Sequence, residues 1–127
     1  MGQMHELSVC QSLLTQATLV MNEHKAKSIE RIVVMIGPLS GVEPALLERA
    51  FTVARADAGV PEAQLEIQIS PVRVKCNGCG LESAAKANRL VCAHCGDWRV
   101  NMIEGFEMIL KRVVLLDLPE SVPAAVD

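Results

Sequence analysis

Four of the five cysteines fall in two C-x-x-C pairs, Cys76-Asn77-Gly78-Cys79 and Cys92-Ala93-His94-Cys95, with twelve residues between them. Two residues between cysteines let both thiolates of a tight turn reach one ion, and the second turn supplies the other two. Glycines at 78, 80 and 96 are expected to provide the positive φ angles such turns need. A closed four-sulfur site favours zinc and leaves no open position for a substrate. A redox dithiol or an iron–sulfur centre is the alternative chemistry, but a thioredoxin-like site needs one C-x-x-C at a strand–helix junction, not two in tandem. A second candidate lies near the start, where Met4 is followed at once by His5 and Glu6. What a histidine and a carboxylate do immediately after what looks like a second start site depends on the rest of the sequence. The same residues also suit an ordinary helix start, where the N-terminal dipole favours Glu.

The remaining candidates are weaker. His94 could compete for the metal but reads as an exposed loop residue. Cys10 sits among helix-spaced apolar residues and reads as a small buried hydrophobe. Zinc ribbons often bind nucleic acid, so the charge of the module matters. Residues 72–105 hold five basic groups (Arg73, Lys75, Lys86, Arg89, Arg99) against three acidic ones (Glu82, Asp97, Glu104). With only Trp98 and Phe106 as nearby aromatics, that is thin for tracking phosphates or stacking bases.

Positioning these groups falls to a few elements. Over residues 5–24, Leu7, Cys10, Leu13, Leu14, Ala17, Val20 and Met21 recur at steps of three and four, the apolar face of a helix. "ERIVVMIG" is a β-branched run closed by Gly37, a buried strand. Pro44 suits the first position of a second helix, whose apolar face is Leu46, Leu47, Ala50, Phe51 and Ala54. Gly59 and Pro61 stop it. "AQLEIQIS" alternates with period two, with Leu65, Ile67 and Ile69 on one side. Residues 72–104 carry the four cysteines and few large aliphatics. "FEMILKRVVLLD" then returns to strand character, and "LPESVPAAVD" has little to bury. The expected fold is α/β: a small mixed three-stranded sheet with two helices, interrupted by an inserted zinc-ribbon-like module. The expected division is 1–71 with 105–117 as one α/β domain, 72–104 as the zinc module, and 118–127 as a flexible tail.

Composition narrows the class. A chain of 127 residues, half of them hydrophobic, can bury one ordinary core, and with no Tyr, two Phe and one Trp that core is aliphatic. A net charge of −3 gives no polyanion-binding signal, so no nucleic-acid partner is expected. No stretch reaches the ~18 apolar residues of a membrane span, and the N-terminus lacks the order of a signal peptide. A cytoplasmic protein follows, in which cysteines serve metal or thiol chemistry rather than disulfides.

In order and spacing, "MHELSVCQSLL", "IGPLSGVEP", "LEIQISP", the paired C-x-x-CG motifs and "GFEMIL" resemble the HypA/HybF hydrogenase-maturation family. The resemblance runs from Met4 to about Asp117. It implies a small α/β nickel-binding domain with the zinc domain inserted before its last strand. It implies a non-enzymatic metallochaperone that binds Ni(II) and Zn(II) and delivers nickel to the [NiFe] hydrogenase large subunit, with a HypB-type GTPase as partner. The absence of a G-x-x-x-x-G-K-[ST] loop agrees, since any GTP-driven step then belongs to a partner. Ala93 stands where the family usually has proline, and Asp97 where serine is common; neither removes a ligand.

Carried over, the family's nickel site falls on Met4, His5 and Glu6. A chain starting at Met4 would offer its α-amine, the His5 amide and a His5 imidazole nitrogen in adjoining chelate rings. Nitrogens in a plane suit Ni(II) better than tetrahedral zinc, and Glu6 would add an oxygen or hold the ring. "MGQ" replaces that amine by a peptide bond and reads as an upstream start or a cloning remnant. Met4 is therefore an amine ligand only where it is the true N-terminus. The rival reading is a zinc-ribbon module binding nucleic acid or protein without nickel; a weaker one is a thiol oxidoreductase.

Overall fold

The computed structural model describes residues 2–116 and 125–126, with side chains from Glu6 to Leu116. Its elements run α1 (Gly2–Glu23), β1 (Ser28–Ile36), α2 (Pro44–Asp57), β2 (Gln64–Ile69), β3 (Val72–Cys76), β4 (Glu82–Ala85), β5 (Val100–Glu104), β6 (Met108–Leu116) and β7 (Ala125–Val126). They form one sheet ordered β2-β1-β6-β7 and a second ordered β4-β3-β5. The class is mixed α/β with two helices and two small sheets. Among the described residues, no helix is long and apolar enough to cross a membrane.

The chain divides into two compact units. One comprises Met1–Val34, Glu43–Gln68 and Ile109–Asp127, the other Met35–Val42 and Ile69–Met108. In the first, α1 packs on α2. Pro44 opens α2 as expected, because its missing N–H would find no intrahelical partner there. Leu47, Phe51 and Ala54 are its buried stripe. The core is aliphatic: Cys10, Leu13, Leu14 and Ala17 from α1 join Ile29, Ile32 and Val34 from β1 and Val113 and Leu115 from β6 in full burial. At its start α1 departs from the expected face. Leu7 is 40% exposed, whereas Glu6 is 1% exposed. Glu6, Cys10, Leu13 and Ala17 are the true spacing, so a carboxylate occupies a core position that hydrophobic periodicity had assigned to leucine.

β7 falls in the stretch expected to be a loose tail, where it pairs antiparallel with Val113 and Val114 of β6. It makes the first sheet four-stranded rather than three-stranded. Residues 117–124 and 127 of that stretch lie outside the described residues.

In the second unit β3 is the central strand, antiparallel to both β4 and β5. Val72, Val74 and Cys76 turn inward while Lys75 is exposed. Residues 35–42 group here because Gly37 N–H donates to Glu107 O and Leu39 N–H to Gly105 O, both at 2.9 Å. A Cβ at Gly37 would overlap the Gly105 carbonyl, so this close approach requires glycine. Packing thus draws its boundaries differently from the expected segments.

Candidate metal centre

Among the described residues, one group of metal-binding side chains comes together: Cys76, Cys79, Cys92 and Cys95, whose Sγ atoms all lie within 4.8 Å of one another. Cys76 and Cys95 are 3.6 Å apart, as are Cys79 and Cys92. Zn–S bonds of ~2.3 Å in a tetrahedron put sulfurs ~3.8 Å apart, so the arrangement fits a zinc ion.

Two matching turns build this cluster. In the first, Gly80 N–H donates to Cys76 O at 3.1 Å; in the second, Gly96 N–H donates to Cys92 O at 2.9 Å. Each turn also aims N–H groups at its first sulfur. Gly78 N and Cys79 N lie 3.2 and 3.3 Å from Cys76 Sγ, and His94 N lies 3.3 Å from Cys92 Sγ. These donors favour thiolate. Cys92 is drawn down to about 6, with the Cys95 N–H foremost and that of His94 adding to it, against the cost of burial. Cys95 goes the other way, to about 12: the Asp97 N–H lowers it, but the hydrogen bond with Cys76, burial and the Cys92 sulfur outweigh that donor. Four mutually close thiols cannot all ionise without a cation between them, and a doubly charged ion removes that conflict.

Gly80 and Gly96 adopt the expected positive φ, 78° and 77°. Gly78 does not; its requirement is space. A Cβ there would sit 2.8 Å from Asp97 Oδ2. Sequence patterning placed glycine in this turn correctly but for the wrong reason, because a long-range approach leaves no local signal.

The second candidate site is described in part. The side chains of Met4 and His5 lie outside the described residues. Their backbone belongs to α1, which begins at Gly2. Glu6 is the described member. Its Oε2 lies 3.5 Å from Glu43 N, its Oε1 has no hydrogen-bond partner among the described residues, and the side chain is fully buried. Of the other histidines, His24 Nδ1 lies 3.0 Å from Val20 O, and His94 is exposed with Nε2 3.3 Å from Glu82 O. Neither joins a cluster among the described residues. Cys10 is fully buried, and burial raises its thiol to about 11, which makes it an inert core residue.

The family model for HypA, described as hydrogenase/urease nickel incorporation, metallochaperone, matches residues 4–115. The chain belongs to the HypA family. It is 42% identical over 113 residues to the hydrogenase maturation factor HypA of Nitrosospira multiformis, an alignment covering 89% of this chain and 98% of that one. It is 41% identical over 112 residues to the HypA of Aquifex aeolicus, covering 88% and 97%. Among solved structures, the solution structure of the Ni metallochaperone HypA from Helicobacter pylori matches with a TM-score of 0.65 and 30% identity, over 87% of this chain and 97% of that one. A second solution structure, of a HypA protein, matches with a TM-score of 0.71 and 32% identity, over 90% and 98%. The function of the family is that of a hydrogenase nickel-incorporation metallochaperone, with nickel as cargo. The four-cysteine cluster is its structural counterpart, consistent with zinc.

Proposed function

We propose that this chain binds Ni(II) at the start of α1 through His5 and Glu6, joined by the Met4 amine where that residue is the N-terminus. It holds a structural Zn(II) on Cys76, Cys79, Cys92 and Cys95. It works in the cytoplasm as a carrier rather than an enzyme, passing nickel to the [NiFe] hydrogenase large subunit with a HypB-type GTPase. The expected segments, a nickel-binding part in 1–71 and 105–117 and a zinc module in 72–104, are functional divisions on this reading.

One observation carries the nickel site. A fully buried carboxylate with one oxygen unpartnered is rare, because desolvation without a hydrogen bond is costly. Among the described residues Glu6 is such a group, next in sequence to the only imidazole within the first turns of α1. That oxygen suits either a metal bond or an N–H of the imidazole that carries the metal. The closed sulfur site has no open position, so a cargo ion needs this separate site.

The test is a nickel titration of the zinc-loaded chain beside its His5→Ala variant, with zinc and helix content followed in both. Specific nickel binding should disappear in the variant while zinc and helix content stay. Undiminished nickel binding would move the site elsewhere and defeat the proposal.

A further inference from the structure

The second zinc knuckle carries a charge that a four-sulfur site does not need. Asp97 follows Cys95-Gly96 directly, and its side chain is only 15% exposed. The carboxylate reaches across to the first knuckle. The position a Gly78 Cβ would take lies 2.8 Å from Asp97 Oδ2 and 3.6 Å from Cys76 Sγ. Carboxylate and thiolate therefore flank the same small space. The empty site cannot hold all four sulfurs as thiolates, whereas the filled site holds four thiolates around a doubly charged ion and is net negative, so a further negative charge at this range disfavours the filled state.

Arg99 answers that charge. Its Nε and backbone N–H both donate to Asp97 Oδ1, at 3.1 and 2.9 Å, and its terminal nitrogen donates to Oδ2 at 2.9 Å. The Arg99 carbonyl accepts the Asn77 N–H at 2.9 Å, and Asn101 Nδ2 donates to Asn77 Oδ1 at 3.1 Å. The same short segment thus ties the second knuckle to the first and supplies the counter-charge.

We propose that Arg99 is a positioning residue for the four-sulfur centre: by clasping Asp97 it cancels the negative charge laid against Gly78 and Cys76, so that all four sulfurs can stay deprotonated around the ion. The proposal rests on the zinc reading above. The guanidinium is itself held more firmly protonated, by Asp97 first. An exposed ion pair ordinarily contributes little to fold stability. The effect belongs to metal affinity, where partners outside the ligand set weigh more.

The experiment uses the full zinc-loaded chain and four variants: Arg99→Gln, Arg99→Lys, Asp97→Ser, and Asp97→Ser with Arg99→Gln. Zinc partition against a chromophoric chelator is measured at low and high salt. Cobalt-substituted spectra and thermal unfolding are followed alongside. Arg99→Gln should weaken zinc binding by roughly tenfold, the lower end for partners outside the ligand set. Arg99→Lys should lose less. The double variant should recover most of the loss, because removing the carboxylate removes what Arg99 neutralises. High salt should narrow the gap between Arg99→Gln and the unaltered chain. All variants should keep the thiolate-to-cobalt band of four sulfurs. Zinc binding in Arg99→Gln equal to that of the unaltered chain would overturn the proposal. So would a double variant no tighter than Arg99→Gln, or a thiolate band lost in Arg99→Gln, which would mean a dropped ligand rather than an unbalanced charge. An unaltered chain holding no sulfur-bound ion would overturn the zinc reading itself, and this proposal with it.

Discussion

The carboxylate of Glu6 lies 3.5 Å from the backbone nitrogen of Glu43, the residue that caps the start of α2. Glu43 offers no side-chain cap of its own, so α1 supplies an acceptor where α2 needs one. The contact is long, and the other oxygen is unpartnered among the described residues. A residue kept for stability alone would be better satisfied than this. Glu6→Gln keeps the shape and an acceptor but removes the charge. It should hold or raise the unfolding temperature, since an amide is less costly to bury than a carboxylate, and it should weaken nickel binding. A clear drop in unfolding temperature with nickel affinity intact would make Glu6 a purely structural residue.

His5 gives a pH-dependent prediction. A protonated imidazole cannot ligate, so nickel affinity should fall as pH drops through the ordinary imidazole range near ~6.5. The sign is fixed: protons compete with nickel, and the loss lies on the acid side. His5→Gln should flatten that dependence along with the affinity. A variant that binds nickel more weakly but with the same pH profile would show that another group titrates.

The local signals in the sequence were strong where one element explains itself. Pro44 marks the first residue of α2, and Gly37 closes β1, because each acts through its own backbone. The tandem C-x-x-C spacing located the sulfur cluster, since a knuckle is built within its own few residues. What stayed hidden depends on partners distant in sequence. β3, β4 and β5 are four or five residues long, too short and too poor in large apolar side chains to stand out. β7 has two residues and exists only as a partner of β6. Glu6 was legible as a metal candidate but not as a core residue, because hydrophobic periodicity cannot select a carboxylate.

Removing a sulfur ligand tests how far the small unit depends on its ion. Cys76→Ala or Cys92→Ala should lower zinc from about one per chain to well below it, because a four-thiolate site loses its closed shell. Residues 72–104 should then exchange their amide hydrogens faster, as β3 to β5 have little else to order them. The aliphatic core around Ile29, Ile32 and Phe51 is built from other residues, so α1 and α2 should stay protected. Retention of full zinc and normal unfolding in these variants and in Cys79→Ala and Cys95→Ala would refute the assignment.

Cys10 should behave unlike the other four. It is 0% exposed and its thiol is raised to about 11 by burial. With zinc chelated and residues 72–104 loosened, so that the four ligand thiols no longer crowd one another, iodoacetamide at pH 8 should label Cys76, Cys79, Cys92 and Cys95 well before the buried Cys10. The same burial has a stability consequence. The folded chain holds the Cys10 proton more tightly than the unfolded one, so this contribution is complete below the ordinary value of 9.0 and fades as pH rises toward about 11. Cys10→Ala should remove that part of the alkaline loss. Fast labelling of Cys10 in the folded chain would show that α1 opens locally.

The residues before Met4 give the sharpest comparison. α1 begins at Gly2, so the helix already includes Met4 and His5. The first four N–H groups of a helix lack an intrahelical acceptor, and in a chain beginning at Met4 the His5 amide is among them. The extension turns the Met4 amine, which a planar nickel site would use, into a peptide nitrogen. Three preparations test its effect: the chain as it stands, a chain beginning at Met4, and that shorter chain with its amine acetylated. The Met4-start chain should bind nickel tightest, with the spectrum of planar nitrogen coordination. The acetylated chain should bind more weakly, and the full chain similarly, since both have a peptide nitrogen where the amine would be. Charge cannot produce this order, because acetylation removes a positive charge and would by itself favour a cation. Equal affinities and spectra in all three would eliminate the amine and the amide as ligands and leave nickel to the His5 and Glu6 side chains alone.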